Sequence, residues 1–523
     1  MARTATATIQ PLTSARHPRR PRPHEPLRAI TMSPNSTTGR VRRRVLMSGK
    51  PIAGRALVWI SIAAVAGVAG VAVGINLVAG LALAILIFAF GIFVADPILI
   101  AVVVLPGSIL IQRVGGGGTN LSLADLLVLV AAFVCLFHIK WSTAIHLKRF
   151  LTGIVWFEAV LVLVVVVHPF RGDILEWFHR LSYLAGSTLV GWVIAYHGRA
   201  RQAFRLYLWG AAILALAALE HAVAMHFQPA QWGDYQKNAI GAVMWVAIVI
   251  AQINPPWARI PKVEARVIEG LCLLGLLACQ SRQSAIMVVL ALGLALLLNS
   301  EVRARSRLVI FIAVPAIGLV FYSFVLAFQN NPEFNSVAIR MGQIDSAIHV
   351  WHQSPWLGLG MRFYNLPQYL WVTPPPNSLV DNLASTGIVG SLAFVGLVIV
   401  TMRAMSGLPR IYGTLGLVVL TAHYVDGLFD TFWIGALSIT PFIIAGISLG
   451  MADADPDGEQ IAALTAAASG TGLSGGGRAA TLPPGRSGAA TESGQERRQV
   501  GVSPQPEPSQ PLPPGPVPPG RNQ

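Results

Sequence analysis

From residue 56 to about residue 451 the chain is a succession of long apolar runs separated by short polar stretches. The runs fall at roughly 56–74, 77–95, 97–112, 122–138, 150–168, 181–198, 203–225, 237–254, 267–279, 283–299, 308–328, 384–402, 411–427 and 432–450. A helix that crosses the hydrocarbon layer needs about 20 consecutive, mostly apolar residues. The pattern therefore predicts an all-α fold, a polytopic membrane bundle of about 12–14 transmembrane helices. The lower number applies if the run containing Pro106 is re-entrant and the short pair near 267–299 does not span. One polar gap is much longer than the rest, 329–383, and is expected to form a single large extracytoplasmic loop.

Composition agrees with this reading. Of 523 residues 54% are hydrophobic and only 12% charged, and the mean hydropathy is +0.60. That excludes a soluble enzyme, a disordered protein and a secreted disulfide scaffold. Cys135, Cys272 and Cys279 all lie within apolar runs and read as small buried residues. The flanks differ from the middle. Residues 1–55 are Pro/Arg-rich without apolar periodicity and are expected to be a disordered cytoplasmic arm. Residues 452–523, with 12 prolines, are expected to be a disordered cytoplasmic tail, partly polyproline II.

The net charge of +15 changes meaning once it is mapped. Residues 1–55 carry 12 Lys/Arg against Glu25 alone, and 452–523 carry five Arg against seven acids. The membrane region 56–451 holds 21 basic and 15 acidic residues. The excess is thus mostly a basic arm beside a membrane helix, as positive-inside orientation and anionic lipid require, and not a nucleic-acid surface. With the N-terminus inside, the alternating inner loops collect 14 of the 21 basic residues, and both termini are cytoplasmic. Seven remain on the outer side against that bias: Arg113, Arg171, Arg180, Lys237, Arg282, Arg340 and Arg362. Each has either a structural acid partner, such as Asp173, Glu176, Asp345, Asp381 or Asp426, or an anionic ligand.

Three of these cations have suggestive surroundings. Arg282 stands in CQSRQSA at the tip between two apolar helices, where a planar fork of donors suits a phosphate or pyrophosphate. The alternative is an arginine snorkelling to water. Lys237 and Asn238 open a helix in DYQKNAIGAVMW. A helix N-terminus favours an anion, with Asn238 as a possible cap and Gly241 permitting close approach. Arg340 lies near the start of SVAIRMGQIDSAIHVWHQ, whose spacing predicts a helix with Ile339, Ile344, Ala347, Ile348 and Trp351 on one apolar side. The turn SPWLGLG follows, and five aromatic residues come after Ser354: Trp356, Phe363, Tyr364, Tyr369 and Trp371. These suit sugar stacking or an interfacial belt equally well. Farther on, His423, Asp426 and Asp430 share helical spacing, fitting hydrogen bonding, substrate contact or, weakly, metal binding. Glu158 and Glu220 fall within apolar runs, where acids are costly and often functional.

Taken in order, KN-x-x-G at a helix start, SR at a hairpin tip, R…W-x-x-SPWLGLG and then N-x-L before TGIVG resemble the O-antigen ligase-like family, over roughly 100–450. That family comprises lipopolysaccharide ligases and surface-polysaccharide polymerases. The resemblance implies a glycosyltransferase of the bacterial cytoplasmic (inner) membrane, without cofactor or metal. It would move a glycan from a polyprenyl (undecaprenyl) pyrophosphate carrier to a glycan or lipid acceptor hydroxyl. By motif position Arg282 and Arg340 match the family's two functional arginines, and Lys237 and Asn238 its KN pair. The family's His-Asn is here Pro376-Asn377. The missing histidine is replaced by His349, His352, Asp345, Tyr364 or Asp381, or else the reaction differs; its absence favours a polymerase over a ligase. Asn377, Asp381, His423 and Asp426 are further candidates for substrate contact. The rival readings are a transporter or flippase of lipid-linked oligosaccharide, for which charge near the midplane and repeated halves are expected, and a non-catalytic scaffold.

Overall fold

The computed structural model describes residues 91, 94–110, 122–230, 235–298, 318, 336–430, 436–455 and 458. The predicted runs at 56–74, 77–95 and 308–328, and both terminal extensions, lie wholly or almost wholly outside these residues. The chain divides into two units, Met1–Pro97 and Ile98–Gln523. The first contributes only a handful of described residues, and the second carries the architecture below.

Regular structure among the described residues is helical. In chain order the helices are α1 (Ile98–Gly107), α2 (Leu123–Leu136), α3 (Ile145–Val167), α4 (Arg171–Leu181), α5 (Ser187–Tyr196), α6 (Ala200–Ala224), α7 (Lys237–Ile253), α8 (Lys262–Cys279), α9 (Arg282–Leu298), α10 (Ser336–Trp351), α11 (Ser378–Ser406), α12 (Arg410–Asp426) and α13 (Ile439–Ala454). A helix stands at every predicted run within the described residues. Three of them, α3, α6 and α11, are long and apolar enough to cross a membrane.

The burial pattern separates inner from outer helices. Every residue of α7 from Ala239 to Ile253 is buried, as is every residue of α13 from Ile439 to Asp453. A helix apolar and covered on all sides belongs inside a bundle. By contrast α3, α6 and α11 expose large apolar side chains such as Trp156, Ile213 and Leu392, the arrangement lipid accepts and water does not. This is the architecture of an all-α membrane protein.

Without a hydrophobic drive between helices in lipid, close packing needs small residues. Helices α5 and α13 meet through Gly191 and Gly446, where a Cβ would fall 2.1 Å from the Ile443 carbonyl oxygen and 2.2 Å from that of Thr188. The end of α13 is also bonded to the start of α3. Asp453 Oδ1 accepts from the His146 backbone N–H at 3.0 Å, and Oδ2 accepts from Trp192 Nε1 at 2.8 Å.

Two irregularities position the site. Helices α4 and α5 are one continuous helix interrupted by a π turn, Ser182–Gly186. Helix α11 is broken at Gly387, with φ 66° and ψ −166°, a conformation open to glycine alone. The SPWLGLG turn docks at that break. Leu359 and Gly360 donate their N–H groups to the carbonyls of Ala384 and Ser385, and Ile388 and Val389 donate to those of Pro355 and Trp356. These bonds satisfy backbone groups that the interrupted helix leaves unmade.

Candidate functional site

One end of the bundle gathers the starts of α7, α9 and α11, the ends of α8 and α12, and α10. The α8–α9 hairpin turns on Gln280, which is left-handed at φ 52°. Ser281 Oγ then accepts from the Ser284 N–H and bonds Ser284 Oγ at 2.9 Å. Helix α7 lies so close to this tip that a Cβ on Gly241 would fall 2.4 Å from Ser284 Oγ. The closeness expected at Gly241 is thus taken up by protein. Asn238 is not the cap of α7: the helix starts at Lys237 after Gln236, without a side-chain cap bond. Its side chain instead accepts from Ser281 Oγ at 3.1 Å and donates to Asp430 Oδ2 at 2.8 Å.

Asp430 is the node of this junction. It lies four residues past the end of α12, in a turn that begins with the Gly427 and Leu428 N–H groups donating back to His423 and Val425. Arg340 reaches the turn from α10, donating to the Phe429 carbonyl and standing 3.7 Å from Asp430 Oδ2. Asn377 caps α11 by accepting from the Leu379 and Val380 N–H groups, and donates to the Leu428 carbonyl at 3.0 Å. Gln283 fixes the end of α12, donating to Asp426 Oδ1 at 2.6 Å and to its carbonyl. Arg282 heads α9 and is half-buried, and Lys237 is exposed at the head of α7.

Beside the junction lies a buried ionic cluster. Glu176 Oε2 receives Arg362 Nε and Nη2 at 2.8 and 2.7 Å, and Glu176 Oε1 receives Arg180 Nε at 3.2 Å. Arg180 also donates to Asn382 Oδ1 at 3.1 Å and stands 3.8 Å from Asp381 Oδ2. His179 Nε2 lies 2.8 Å from Asp125 Oδ1, and Asp125 closes the capping box of α2 with Ser122. The Arg362 backbone N–H donates to Asp173 Oδ1 at 3.1 Å. The cluster therefore joins α2, α4, the loop after α10 and the short first segment of α11, and Asn377 links that same segment to the junction.

The charges in α4 follow from these contacts. Burial pushes the Glu176 carboxyl up, but bonding to His179 and the fields of Arg180 and Arg362 outweigh it and hold the group well below the usual carboxylate range. Burial lowers His179, yet its bonds to Asp125 and Glu176 prevail and raise it to about 9. Asp173 is raised to about 7, chiefly by burial and against two backbone N–H donors. Such an assembly costs a great deal if one partner is removed, so its first effect is to hold four elements together.

The loop after α10 has its own small core of Ala347, Val350, Phe363, Val372 and Ala384, against which Tyr364 and Tyr369 pack. Phe363 is thus structural, whereas Trp356 and Trp371 are exposed. Burial raises the Tyr364 phenol above its ordinary value. Helix α10 buries Ala347, as its spacing predicts, but leaves Ile339 and Ile348 exposed. Asp345, His349 and His352 lie on the exposed side of this loop and helix. His349 neighbours the Trp371 ring, and His352 Nδ1 bonds the Ile348 carbonyl. His423 is buried beside Phe442 and Tyr424, and it shares a small cavity with Asp426, Tyr207, Trp245 and Thr440. Of the intramembrane acids, Glu158 is buried in α3, while Glu220 is exposed near the end of α6.

The hairpin tip, Arg340, SPWLGLG and the broken start of α11 thus form one connected structure. Residues 270–395 match the family model described as O-antigen ligase. This segment is O-antigen ligase-like. No curated protein matches the chain. The matched segment contains Arg282, Arg340, Asp345, His349, His352, Tyr364, Asn377 and Asp381. Lys237, Asn238, His423 and Asp426 lie outside it. The O-antigen ligase-like segment is therefore completed at the junction by α7 and the α12 turn.

Two features have only a weak signature in the sequence. Asp430 was grouped with His423 and Asp426 by helical spacing, but α12 ends at Asp426, and Asp430 faces Asn238 and Arg340 instead. Arg180 and Arg362 stood out only as cations on the wrong side. Glu176, their shared partner, lies 186 positions from Arg362, and no local pattern links them.

Proposed function

We propose that the protein transfers a glycan from a polyprenyl pyrophosphate carrier to an acceptor hydroxyl, as a surface-polysaccharide polymerase or O-antigen ligase of the cytoplasmic membrane. The observation that carries this is the O-antigen ligase-like match at 270–395, which spans both Arg282 and Arg340. The same reading takes the membrane region as 56–451 with 12–14 spans, the junction as extracytoplasmic and both termini as cytoplasmic. The polymerase is preferred because Pro376 stands where the family's histidine is expected.

The chemistry asks for stabilised negative charge. Breaking the bond from sugar to pyrophosphate builds charge on the departing oxygens. Arg282 at the head of α9 and Lys237 at the head of α7 stand at helix N-termini, whose dipoles favour an anion. Arg340, held by the α12 turn, adds a second guanidinium. Preorganised donors of this kind cost on the order of 10²-fold or more in rate when one is removed. Exposed Trp371 and Trp356 offer faces for sugar rings.

The test is glycan analysis of a deletion strain complemented with wild type or Arg282→Ala. Single repeat units on undecaprenyl pyrophosphate should accumulate at the outer leaflet, and Arg282→Ala should fail to clear them at normal protein level. Glu158, buried in α3, is the one observation that favours transport. Units trapped on the inner leaflet, or long polysaccharide persisting in the deletion, would replace the transferase reading with a transporter or scaffold.

A further inference from the structure

We infer that Asp430 is the base that takes the acceptor's proton, in the place left by the missing histidine. The inference rests on the transferase reading above.

Position and access single out Asp430. Asn377 caps α11 at the site of the altered His-Asn pair, and its amide is bonded to the Leu428 carbonyl, two residues before Asp430. The turn carrying Asp430 is thereby fastened to the segment from which the histidine is absent. Asn238 and Arg340 both contact Asp430 at Oδ2, which orients the carboxylate between the start of α7 and α10. The side chain is 20% exposed and that of Arg340 36% exposed, so solvent and an entering hydroxyl reach both.

The other titratable groups are less suited. Asp381 is 3% exposed and faces Arg180, and Asp426 is 1% exposed and holds Gln283. His423 is 2% exposed among aromatic rings. Tyr364 packs on the loop core. Asp345, His349 and His352 are accessible, but their contacts stay within α10 and its loop. Among these, Asp430 alone accepts from Asn238 and pairs with Arg340 while remaining partly open.

The acceptor O–H bond breaks and its proton passes to a carboxylate oxygen of Asp430. The acceptor oxygen forms a bond to the anomeric carbon. The bond from that carbon to the phosphate oxygen breaks, and its electron pair leaves with the polyprenyl pyrophosphate. Asp430 then returns the proton to water.

The experiment uses membranes of the deletion strain, which hold the native lipid-linked repeat units, with full-length wild type, Asp430→Asn, Asp430→Glu and Asp430→Ala. The rate at which the units disappear is followed by mass spectrometry, and thermal unfolding of each purified protein is recorded. A base contributes roughly 10²–10⁴-fold. Asp430→Asn keeps a polar side chain of the same shape, so it should unfold like wild type yet lose transfer by that factor. Asp430→Glu should retain part of the rate, and added formate should restore part of it to Asp430→Ala. Transfer by Asp430→Asn within about tenfold of wild type overturns the assignment. So does loss without formate rescue in a variant that unfolds early, because that marks Asp430 as a brace for Arg340. If wild type itself leaves the units undiminished, the transferase reading fails and this inference with it.

Discussion

At the scale of single residues, the ionic cluster makes the sharpest demand on the chain. Glu176 is shared by two buried arginines, and His179 completes the link to Asp125. The raised His179 makes a pH dependence that can be read from its sign. In the unfolded chain the imidazole titrates near 6.5, and in the fold near 9. The stabilisation is therefore complete below about pH 6.5 and is lost as pH rises through about 9. Asp173 acts lower: raised to about 7, it is half deprotonated there, so it overlaps with His179 at the low end of this range and His179 contributes up to about pH 9. Thermal unfolding in detergent should fall from about pH 7 to 9 more steeply for wild type than for His179→Gln; equal slopes would remove the imidazolium from the account. Part of this was visible in the sequence. Arg180 and Arg362 stood out as cations on the wrong side of the membrane, with acids on hand to pair them. Which acid, and that one acid serves both, depends on a contact between distant parts of the chain.

At the scale of elements, the apolar runs foretold the helices well, because a run long enough to cross lipid has few other ways to satisfy its backbone. The break in α11 was not foretold. TGIVG reads as an apolar opening of a span, and nothing local says that Gly387 adopts a conformation closed to other residues. The reason lies elsewhere, in SPWLGLG, whose backbone takes the hydrogen bonds of the broken turn. A Cβ at Gly387 would come within 2.3 Å of Trp356 backbone, so Gly387→Ala must shift one segment or the other. The strained backbone alone costs about 1–3 kcal/mol. The loop over 352–377 should become sensitive to limited proteolysis, and transfer should fall, while the membrane helices remain folded by circular dichroism. Unchanged proteolysis would mean that the docking does not depend on the glycine. The candidate site was legible in the same uneven way. Arg282, Arg340 and Asn238 were marked by their motifs, whereas Asp430 was misread as part of a helix that ends four residues earlier.

At the scale of the whole molecule, the two ends of the bundle are built differently. One end holds the ionic cluster and the polar junction. The other is tied by Asp453 to His146 and Trp192 and by Arg205 to Glu264. The proposed orientation puts the first end outside. All three native cysteines are buried, so an added one can be read cleanly. Trp371→Cys should react with a membrane-impermeant maleimide in intact spheroplasts, and Arg403→Cys only after permeabilisation; the reverse pattern would invert the topology. The π turn between α4 and α5 connects these two ends. A π turn takes up about one residue more than a regular turn, so it absorbs an extra residue while the helix above and below it keeps its phase. Arg180 meets Asn382 on one side of it and Trp192 meets Asp453 on the other. Removing one residue from Ser182–Gly186 should therefore leave both partnerships within reach. Inserting one into the regular turns of α5 would swing the halves by about 100° and break one of them.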